Sequence, residues 1–248
     1  MLILVSNDDG VHAPGLAALV EALSVLGRVV VVAPDRERSA VGHALTLHRP
    51  LRLHTVRTDW YAVDGTPTDC VHLGIHGVLE RSPDLLVAGI NEGANLADDI
   101  TYSGTVGVAM EGAIMGVPSF AVSLAAEGRP RFDPAAAVAR RVARAVIERG
   151  LPGGTFLNVN VPATGPGGEP RGIRVTRQGR RLYGSGVVRK VDPRGRAYYW
   201  IGARELGRLE RVGGTDVEAV EAGYVSVTPI RTDLTDHEFR ETLGGWTW

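Results

Sequence analysis

The first ten residues, MLILVSNDDG at positions 1–10, decide the fold class. Leu2 to Val5 is a short apolar run, and the polar segment Ser6-Asn7-Asp8-Asp9-Gly10 follows it directly. An apolar run of this length predicts a buried β-strand. In open parallel sheets, ligands bind just beyond the carboxyl ends of the strands. The segment therefore predicts an α/β fold and a binding site that begins at Asp8 and Asp9.

The first 162 residues alternate between strand-like and helix-like patterns. Pro14 begins a helix whose apolar positions recur every three to four residues up to Leu26, with Gly27 after its end. The other predicted strands are Val29–Val32, Leu85–Ala88, Ser119–Val122 and Phe156–Val161, and the other predicted helices are Val106–Met115 and Ala135–Ile147. This alternation predicts a parallel sheet with crossover helices.

The segment from Pro162 to Gly172 is rich in proline and glycine, and we expect the main sheet to end there. The remainder has strand-like segments at Ile173–Arg177, Tyr198–Ile201 and Tyr224–Val227, and a short helical segment near Val217. This tail is too small to bury its own apolar residues in a separate core. We expect it to pack on the main domain or on a second subunit.

Composition restricts the partners. The 248 residues are 44% hydrophobic and 22% charged, which is typical of a globular protein. A net charge of -1 provides no general attraction for long nucleic acid. Cys70 is the only cysteine, which excludes an intrachain disulfide and predicts a cytoplasmic location. No apolar run approaches the length needed to span a membrane.

Asp8 and Asp9 predict a metal site. Two adjacent carboxylates repel each other, and keeping both ionised at a partly buried strand end requires a positive charge. Ser39 and Asn91 follow other predicted strands and offer further oxygen ligands. Oxygen ligands favour Mg²⁺ or Mn²⁺ over zinc or copper. The alternative is that the two aspartates only cap the next helix.

The segment Tyr102-Ser103-Gly104-Thr105 predicts a phosphate-binding site. Its small residues permit close backbone approach, and the helix that follows presents N–H groups at its first turn. The hydroxyls of Ser103 and Thr105 could add hydrogen-bond donors. The alternative is a helix cap without a ligand.

The seven histidines contain no HExxH or comparable pairing. His12 and His43 lie in candidate loops. His72 and His76 have helical spacing after Cys70, and we expect them to be ordinary residues of a helix. None of the histidines is predicted to be catalytic.

Together these motifs resemble the SurE (survival protein E) family of 5'/3'-nucleotidases. The matching segments occur in the family's order and spacing over nearly the whole chain. They are Ser6–Gly10, Ala33–Ser39, Gly65–Cys70, Gly89–Asn95, Tyr102–Val106 with Glu111-Gly112, Asp192–Gly195, Tyr199–Gly202 and Gly223–Pro229. Ala40 and Ala88 stand where the family often has glycine and serine.

The resemblance implies a Rossmann-like catalytic domain at residues 1–165, with a three-layer arrangement of helices on both faces of a parallel sheet. It also implies a β-rich C-terminal extension at residues 166–248, with a hairpin, a short helix and a strand, exchanged between subunits of a homodimer or homotetramer. The implied ligands of one divalent metal are Asp8, Asp9, Ser39 and Asn91. The implied phosphate-binding residues are Asn95, Ser103, Gly104 and Thr105.

The expected reaction is metal-dependent hydrolysis of nucleoside monophosphates to nucleoside and phosphate. Asp8 or Asp9 would orient or deprotonate the attacking water. Nucleoside 3'-phosphates and polyphosphate are further candidate substrates.

Two other classes of protein share some of these features. A nicotinamide-dependent dehydrogenase would account for Asp35 after the second strand, but the first loop lacks the GxGxxG motif and places carboxylates where a pyrophosphate would lie. A phospho-receiver or nucleotide-sensing module would account for the acidic pair. However, such a module needs a phosphoacceptor aspartate after a central strand, where this chain has Asn91, and a later lysine, and the first lysine here is Lys190.

Overall fold

The computed structural model describes residues 1–126, 130–164, 168–184, 186–201 and 208–247. The strands are β1 Leu2–Ser6, β2 Arg28–Pro34, β3 Leu53–Arg57, β4 Trp60–Val63, β5 Leu85–Glu92, β6 Ser119–Ala125, β7 Thr155–Pro162, β8 Ile173–Val175, β9 Arg181–Leu182, β10 Val187–Val191, β11 Ala197–Ile201, β12 Arg208–Leu209 and β13 Val225–Arg231. The helices are α1 Pro14–Ser24, α2 Pro67–Leu73, α3 Gly104–Ile114, α4 Asp133–Arg149, α5 Asp216–Glu221 and α6 His237–Leu243. A π-helical turn, Gly74–Val78, follows α2, and a 3₁₀ turn, Ala97–Thr101, precedes α3.

In the described part of the chain, nine strands form one sheet in the order β3-β4-β2-β1-β5-β6-β7-β13-β8. The six strands in the run β4-β2-β1-β5-β6-β7 are all parallel to one another. The chain builds outward from β1 to β2 and β4, and then returns to the other side of β1 with β5. The order therefore reverses between β1 and β5, which is where open α/β sheets bind ligands.

Two apolar layers enclose this sheet and confirm the predicted α/β architecture. On one face, Leu16, Leu19 and Leu23 of α1 pack with alanines and valines of α4 against alternate residues of the strands, such as Ile3 and Val5. On the other face, α2 and α3 pack against residues such as Leu4. Because parallel strands are buried on both faces, their sequences are continuous apolar runs, as predicted.

The prediction that the main sheet ends at the Pro162–Gly172 segment is wrong. Strand β13 pairs antiparallel with β7, with Ser226 opposite Asn160, and β8 pairs with β13. These tail strands cover the edge that β7 would otherwise expose, and an uncovered edge presents unpaired backbone groups. At the opposite edge, β3 was not predicted. It pairs antiparallel with β4, and its residues are all exposed.

The tail also contains the predicted hairpin, short helix and strand. The hairpin consists of β10 and β11, joined by the turn around Asp192 to Arg196. The short helix is α5, and its Val217 packs against Leu96 and Ala97. The predicted domain boundary between residues 165 and 166, and Gly202 of the Tyr199–Gly202 motif, lie outside the described residues. Among the described helices, none combines the length and apolarity required to cross a membrane.

Candidate functional site at the carboxyl ends of β1 and β5

Asp8 lies just beyond β1 and is 5% exposed. The hydroxyl of Thr105 donates a hydrogen bond to its carboxylate, and the backbone N–H groups of Gly104 and Thr105 act to lower its pKa. These donors belong to the first turn of α3, which favours a negative charge. Burial nevertheless raises the pKa of Asp8, because desolvation outweighs these hydrogen bonds. Because the Thr105 hydroxyl is hydrogen-bonded to it, the Asp8 carboxylate is held in one orientation against the first turn of α3.

Asp9 is more accessible than Asp8 and has weaker contacts. Its Oδ2 accepts a hydrogen bond from the backbone N–H of Glu92 at 3.4 Å. Burial, followed by repulsion from Asp8, raises the pKa of Asp9 to about 6. Glu37 and Glu92 add further repulsion. The ionised form of Asp9 is therefore disfavoured in this site unless a positive charge is present.

The loop from Asn7 to Gly10 has a geometry that depends on its glycine. The Asn7 side chain accepts a hydrogen bond from the Gly10 N–H at 3.2 Å and donates one to the Gly10 carbonyl at 3.0 Å. Gly10 has a φ of +99°, and a Cβ atom there would lie 3.0 Å from the backbone of Arg36. Glycine is needed for both reasons. The loop therefore packs closely against the segment after β2.

The loops that carry Ser39 and Asn91 are each hydrogen-bonded to the aspartate pair. The N–H of Arg38, next to Ser39, donates to the Asp8 carbonyl at 2.7 Å. The N–H of Glu92, next to Asn91, donates to the Asp9 carboxylate. The structure thus brings together the three loops that carry the four predicted metal ligands, as expected for a site at the switch point of the sheet.

The side chains of Ser39 and Asn91 each form a hydrogen bond within their own loop. The Ser39 hydroxyl donates to Glu37 Oε1 at 2.7 Å, and Asn91 Nδ2 donates to the Gly93 carbonyl at 2.9 Å. The Asn91 amide uses its nitrogen in this bond, which leaves its oxygen as the atom that could face a cation. The register of β5 with β6 is irregular between Ala88 and Asn91, and such irregularities occur frequently next to active sites.

The predicted phosphate-binding residues lie near this acidic pair. Ser103 is the N-cap of α3, and its Oγ accepts a hydrogen bond from the Val106 N–H at 3.1 Å. This cap uses the hydroxyl oxygen and leaves the hydroxyl proton as a donor. A Cβ atom at Gly104 would lie 2.8 Å from Asp8 Cβ, so only glycine permits this approach. The Thr105 hydroxyl is hydrogen-bonded to Asp8. A contact between Thr105 and a phosphate stays a prediction.

Asn95 is buried in a cluster of polar side chains between β6 and β7. Its Nδ2 donates to Ser123 Oγ at 2.8 Å, and its backbone N–H donates to Asn160 Oδ1 at 2.8 Å. Its carbonyl accepts hydrogen bonds from the amides of Asn158 and Asn160. These contacts fix the position of the Asn95 backbone, and its predicted contact with a phosphate also stays a prediction.

The donor set is compatible with a divalent metal. None of the ion pairs found among the described residues includes Asp8 or Asp9. One buried and one partly buried carboxylate without a cationic side chain are costly, and a bound cation would offset that cost. Across the described ranges, no three His, Cys, Asp or Glu side chains are arranged to hold a metal. The predicted set instead needs two carboxylates, one hydroxyl and one amide, all oxygen donors.

Sequence reasoning missed a second polar cluster centred on Glu111 of α3. Glu111 is buried, with its Oε2 2.5 Å from His43 Nε2 and its Oε1 2.6 Å from His72 Nε2. His72 lies on α2, as the helical spacing predicts, but it contacts a carboxylate there. The only available signal was the Glu111-Gly112 motif, whose partners lie far away in the sequence.

The fold and the site define an α/β protein with an acidic, oxygen-lined site at the switch point of a mostly parallel sheet. A family model described as "Survival protein SurE" matches residues 3–185. The chain belongs to the SurE family.

Relatives and a solved structure agree with this assignment. A protein of Syntrophotalea carbinolica named "5'-nucleotidase SurE" is 61% identical over 100% of this chain and 98% of its own length. One of Geobacter sulfurreducens with the same name is 57% identical over 99% of this chain and 94% of its own length. The crystal structure of the SurE protein from Aquifex aeolicus has a TM-score of 0.87, with 50% identity and 98% coverage of both chains.

The raised pKa of Asp9 gives a prediction for stability. The folded protein retains the Asp9 proton up to about pH 6, whereas the unfolded chain loses it near 3.8. Ionised Asp9 therefore lowers the stability of the folded state as pH rises through this window, and the full cost is present above it. In EDTA, we expect Asp9→Asn to unfold at a higher temperature than wild type at pH 7.5, and the difference to vanish below pH 4.

Asp84 provides a control of opposite sign, because Arg81 lowers the pKa of its carboxyl. Asp84→Asn should unfold at a lower temperature than wild type at pH 7.5. Differential scanning fluorimetry across pH 4 to 8 measures both variants. An Asp9→Asn variant that is no more stable than wild type at pH 7.5 would contradict the electrostatic account of this site.

Proposed function

We propose that this chain is a divalent-metal-dependent 5'-nucleotidase that converts nucleoside monophosphates to nucleoside and phosphate. The activity in general terms follows from the family: the chain is a 5'-nucleotidase, and its substrate is a small-molecule nucleotide. The metal, the site residues and the further substrates are the parts that we add from the geometry.

The observation that carries the metal dependence is the pair Asp8 and Asp9. Both carboxylates lie at the switch point of the sheet, burial raises the pKa of each, and no ion pair of the described residues neutralises them. We assign Ser39 and Asn91 as the remaining protein ligands, because the loops that carry them are hydrogen-bonded to the aspartates. The hard oxygen donors favour Mg²⁺ or Mn²⁺.

A divalent cation bound there would supply the positive charge that neutralises phosphate oxygens and lowers the pKa of a water molecule. Asp8 is hydrogen-bonded to the Thr105 hydroxyl and lies against the backbone of Gly104, so its role is to fix the geometry of the site. Asp9 has one long hydrogen bond at 3.4 Å, so its carboxylate is available to orient the attacking water or accept its proton.

The first turn of α3 is the proposed phosphate-binding site. The Ser103 hydroxyl would donate a hydrogen bond to a phosphate oxygen. Gly104 permits the close approach of the helix to Asp8. Thr105 and Asn95 are the other two proposed phosphate-binding residues. The Thr105 hydroxyl donates its hydrogen bond to Asp8, so Thr105 contributes by fixing the position of Asp8. Donors at a helix N-terminus stabilise the charge that develops on phosphate oxygens.

We include nucleoside 3'-phosphates and polyphosphate as further substrates, since the proposed contacts involve only phosphate oxygens. We also propose a cytoplasmic location. Cys70, the only cysteine of the chain, is a buried free thiol, which suits a reducing compartment.

The direct test measures phosphate release from 5'- and 3'-nucleoside monophosphates and polyphosphate in EDTA, Mg²⁺ or Mn²⁺. We expect release only with metal, and 5'-monophosphates among the substrates. Asp8→Asn should lower kcat/KM on the order of 100-fold or more, because the site loses a charged ligand.

Asp133→Asn is the matched control, since the Asp133 side chain is 84% exposed at the start of α4. It should retain wild-type turnover. Equal release by wild-type protein in EDTA and in Mn²⁺ would contradict the metal dependence, and an active Asp8→Asn variant would contradict the assigned site.

We further propose that the C-terminal extension, residues 166–248, forms the contacts of a homodimer or homotetramer. The hairpin of β10 and β11 pairs only with itself in the described structure and is exposed along its whole length. It carries exposed apolar side chains on both strands, including Trp200 at 59% and Ile201 at 84%. An exposed apolar patch of this kind is typical of a subunit interface.

The hairpin gives a prediction for oligomeric state. In light scattering coupled to size exclusion, wild-type protein should have a mass of two or four chains. Trp200→Glu should shift it toward a single chain, because a charge would be buried in the interface. Val25→Glu, at an exposed residue beyond α1, should leave the mass unchanged. A wild-type monomer would contradict the proposed role of the extension.

A further inference from the structure

The buried carboxylate of Glu111 joins three parts of the molecule. Glu111 lies in the middle of α3, and its side chain is 6% exposed. One oxygen contacts His43 in the loop after β2, and the other contacts His72 on α2. The contact with His43 is a hydrogen bond, whereas His72 Nε2 lies 2.6 Å from the other oxygen without the geometry of a hydrogen bond. His43 alone of these partners lies in the loop that begins at Ser39.

We define the Ser39 loop as residues 39–46. It contains no helix or strand, yet it is fixed at several points. The Gly42 N–H donates to the Tyr102 carbonyl at 3.0 Å, and the Thr46 N–H donates to Asp69 Oδ1 at 2.9 Å. A loop without regular structure needs such side-chain and backbone bonds to hold one conformation. At the centre of the loop, the His43 side chain is hydrogen-bonded to Glu111 and fixes the loop there.

The Ser39 loop lies directly on the first turns of α3. A Cβ atom at Gly107 would lie 3.1 Å from the Gly42 carbonyl oxygen and 3.3 Å from the Cα of His43. The Gly42 bond to Tyr102 is made next to Ser103, the cap of the proposed phosphate-binding site. The loop therefore connects the proposed metal ligand Ser39 to the proposed phosphate-binding turn.

Ala40 shows that the Ser39 loop is held under strain. Its φ is +58°, in the left-handed region that favours glycine. This conformation is unfavourable for a residue with a Cβ atom and persists only where surrounding contacts determine it. Ala40 lies between Ser39 and the fixed residues Gly42 and His43, so these contacts impose the backbone direction at Ser39.

From this geometry we propose that Glu111 is a positioning residue that acts through His43 to hold Ser39 in the metal site. The inference rests on the proposed function, because Ser39 is a proposed ligand. Glu111 contacts neither Asp8 nor Asp9 among the bonds described, so its effect on the site passes through the loop. His72 contacts the same carboxylate but lies outside the loop, on α2.

The test compares metal affinity with stability in three variants of the full chain, His43→Gln, Glu111→Gln and His72→Gln. Isothermal titration with MnCl₂ gives the Kd for Mn²⁺, and scanning fluorimetry in EDTA gives the Tm. His43→Gln and Glu111→Gln should raise the Kd about tenfold, which is the usual effect of losing a residue that orients a ligand. His72→Gln, the matched control, should leave the Kd within about twofold of wild type, even where it lowers the Tm.

Turnover provides a second readout. At saturating Mn²⁺, His43→Gln should recover kcat toward the wild-type value, because excess metal compensates for weaker binding. A residue that acts directly on the substrate would leave kcat low at any metal concentration. Should Glu111→Gln fail to fold, His43→Gln carries the test, because its side chain is 31% exposed and lies in a loop.

Two results would overturn the inference while leaving the proposed function intact. One is a wild-type Kd in His43→Gln. The other is an equal rise in Kd for His43→Gln and His72→Gln that follows their loss of Tm, which would mean that Glu111 acts through overall stability. Wild-type protein that binds no Mn²⁺ would instead refute the metal-dependent function, and the inference with it.

Discussion

The hydrogen-bonded burial of the Asp8 carboxylate at the first turn of α3 is the constraint on which the rest of the site depends. It joins the end of the central strand β1 to the helix that precedes β6. The contact requires glycine at position 104, because any side chain there would collide with Asp8. The donors of the helix turn reduce the cost of burying the charge but do not remove it, since the pKa of Asp8 remains raised. The residual cost is what a divalent cation would offset.

The order of the strands supplies the remaining groups. Because the chain builds outward from β1 in both directions, the loops after β1, β2 and β5 meet at one edge. The backbone N–H groups of Arg38 and Glu92 fix two of these loops to the aspartates. The side chains proposed as ligands therefore stand on loops that are positioned by backbone bonds, and the Glu111 cluster adds a second support for the loop of Ser39.

The sequence predicted the parts of the molecule whose signal is local. Apolar runs predicted five of the parallel strands, β1, β2, β5, β6 and β7, but not β4. The polar residues after β1, β2 and β5 predicted the loops that the structure brings together. The continuation of the sheet through β13 was not predicted, because β7 and β13 are separated by more than sixty residues and their pairing leaves no local pattern. The contacts of Glu111 were not predicted for the same reason. This residue occupies a helical position, and its partners His43 and His72 lie 68 and 39 residues earlier in the chain.

The position of the metal is the central claim, and anomalous diffraction tests it most directly. Crystals grown with millimolar MnCl₂ should show one strong anomalous peak per chain, in contact with oxygens of Asp8, Asp9, Ser39 and Asn91. A map without a peak between these four residues, or with its strongest peak elsewhere in the chain, would contradict the account.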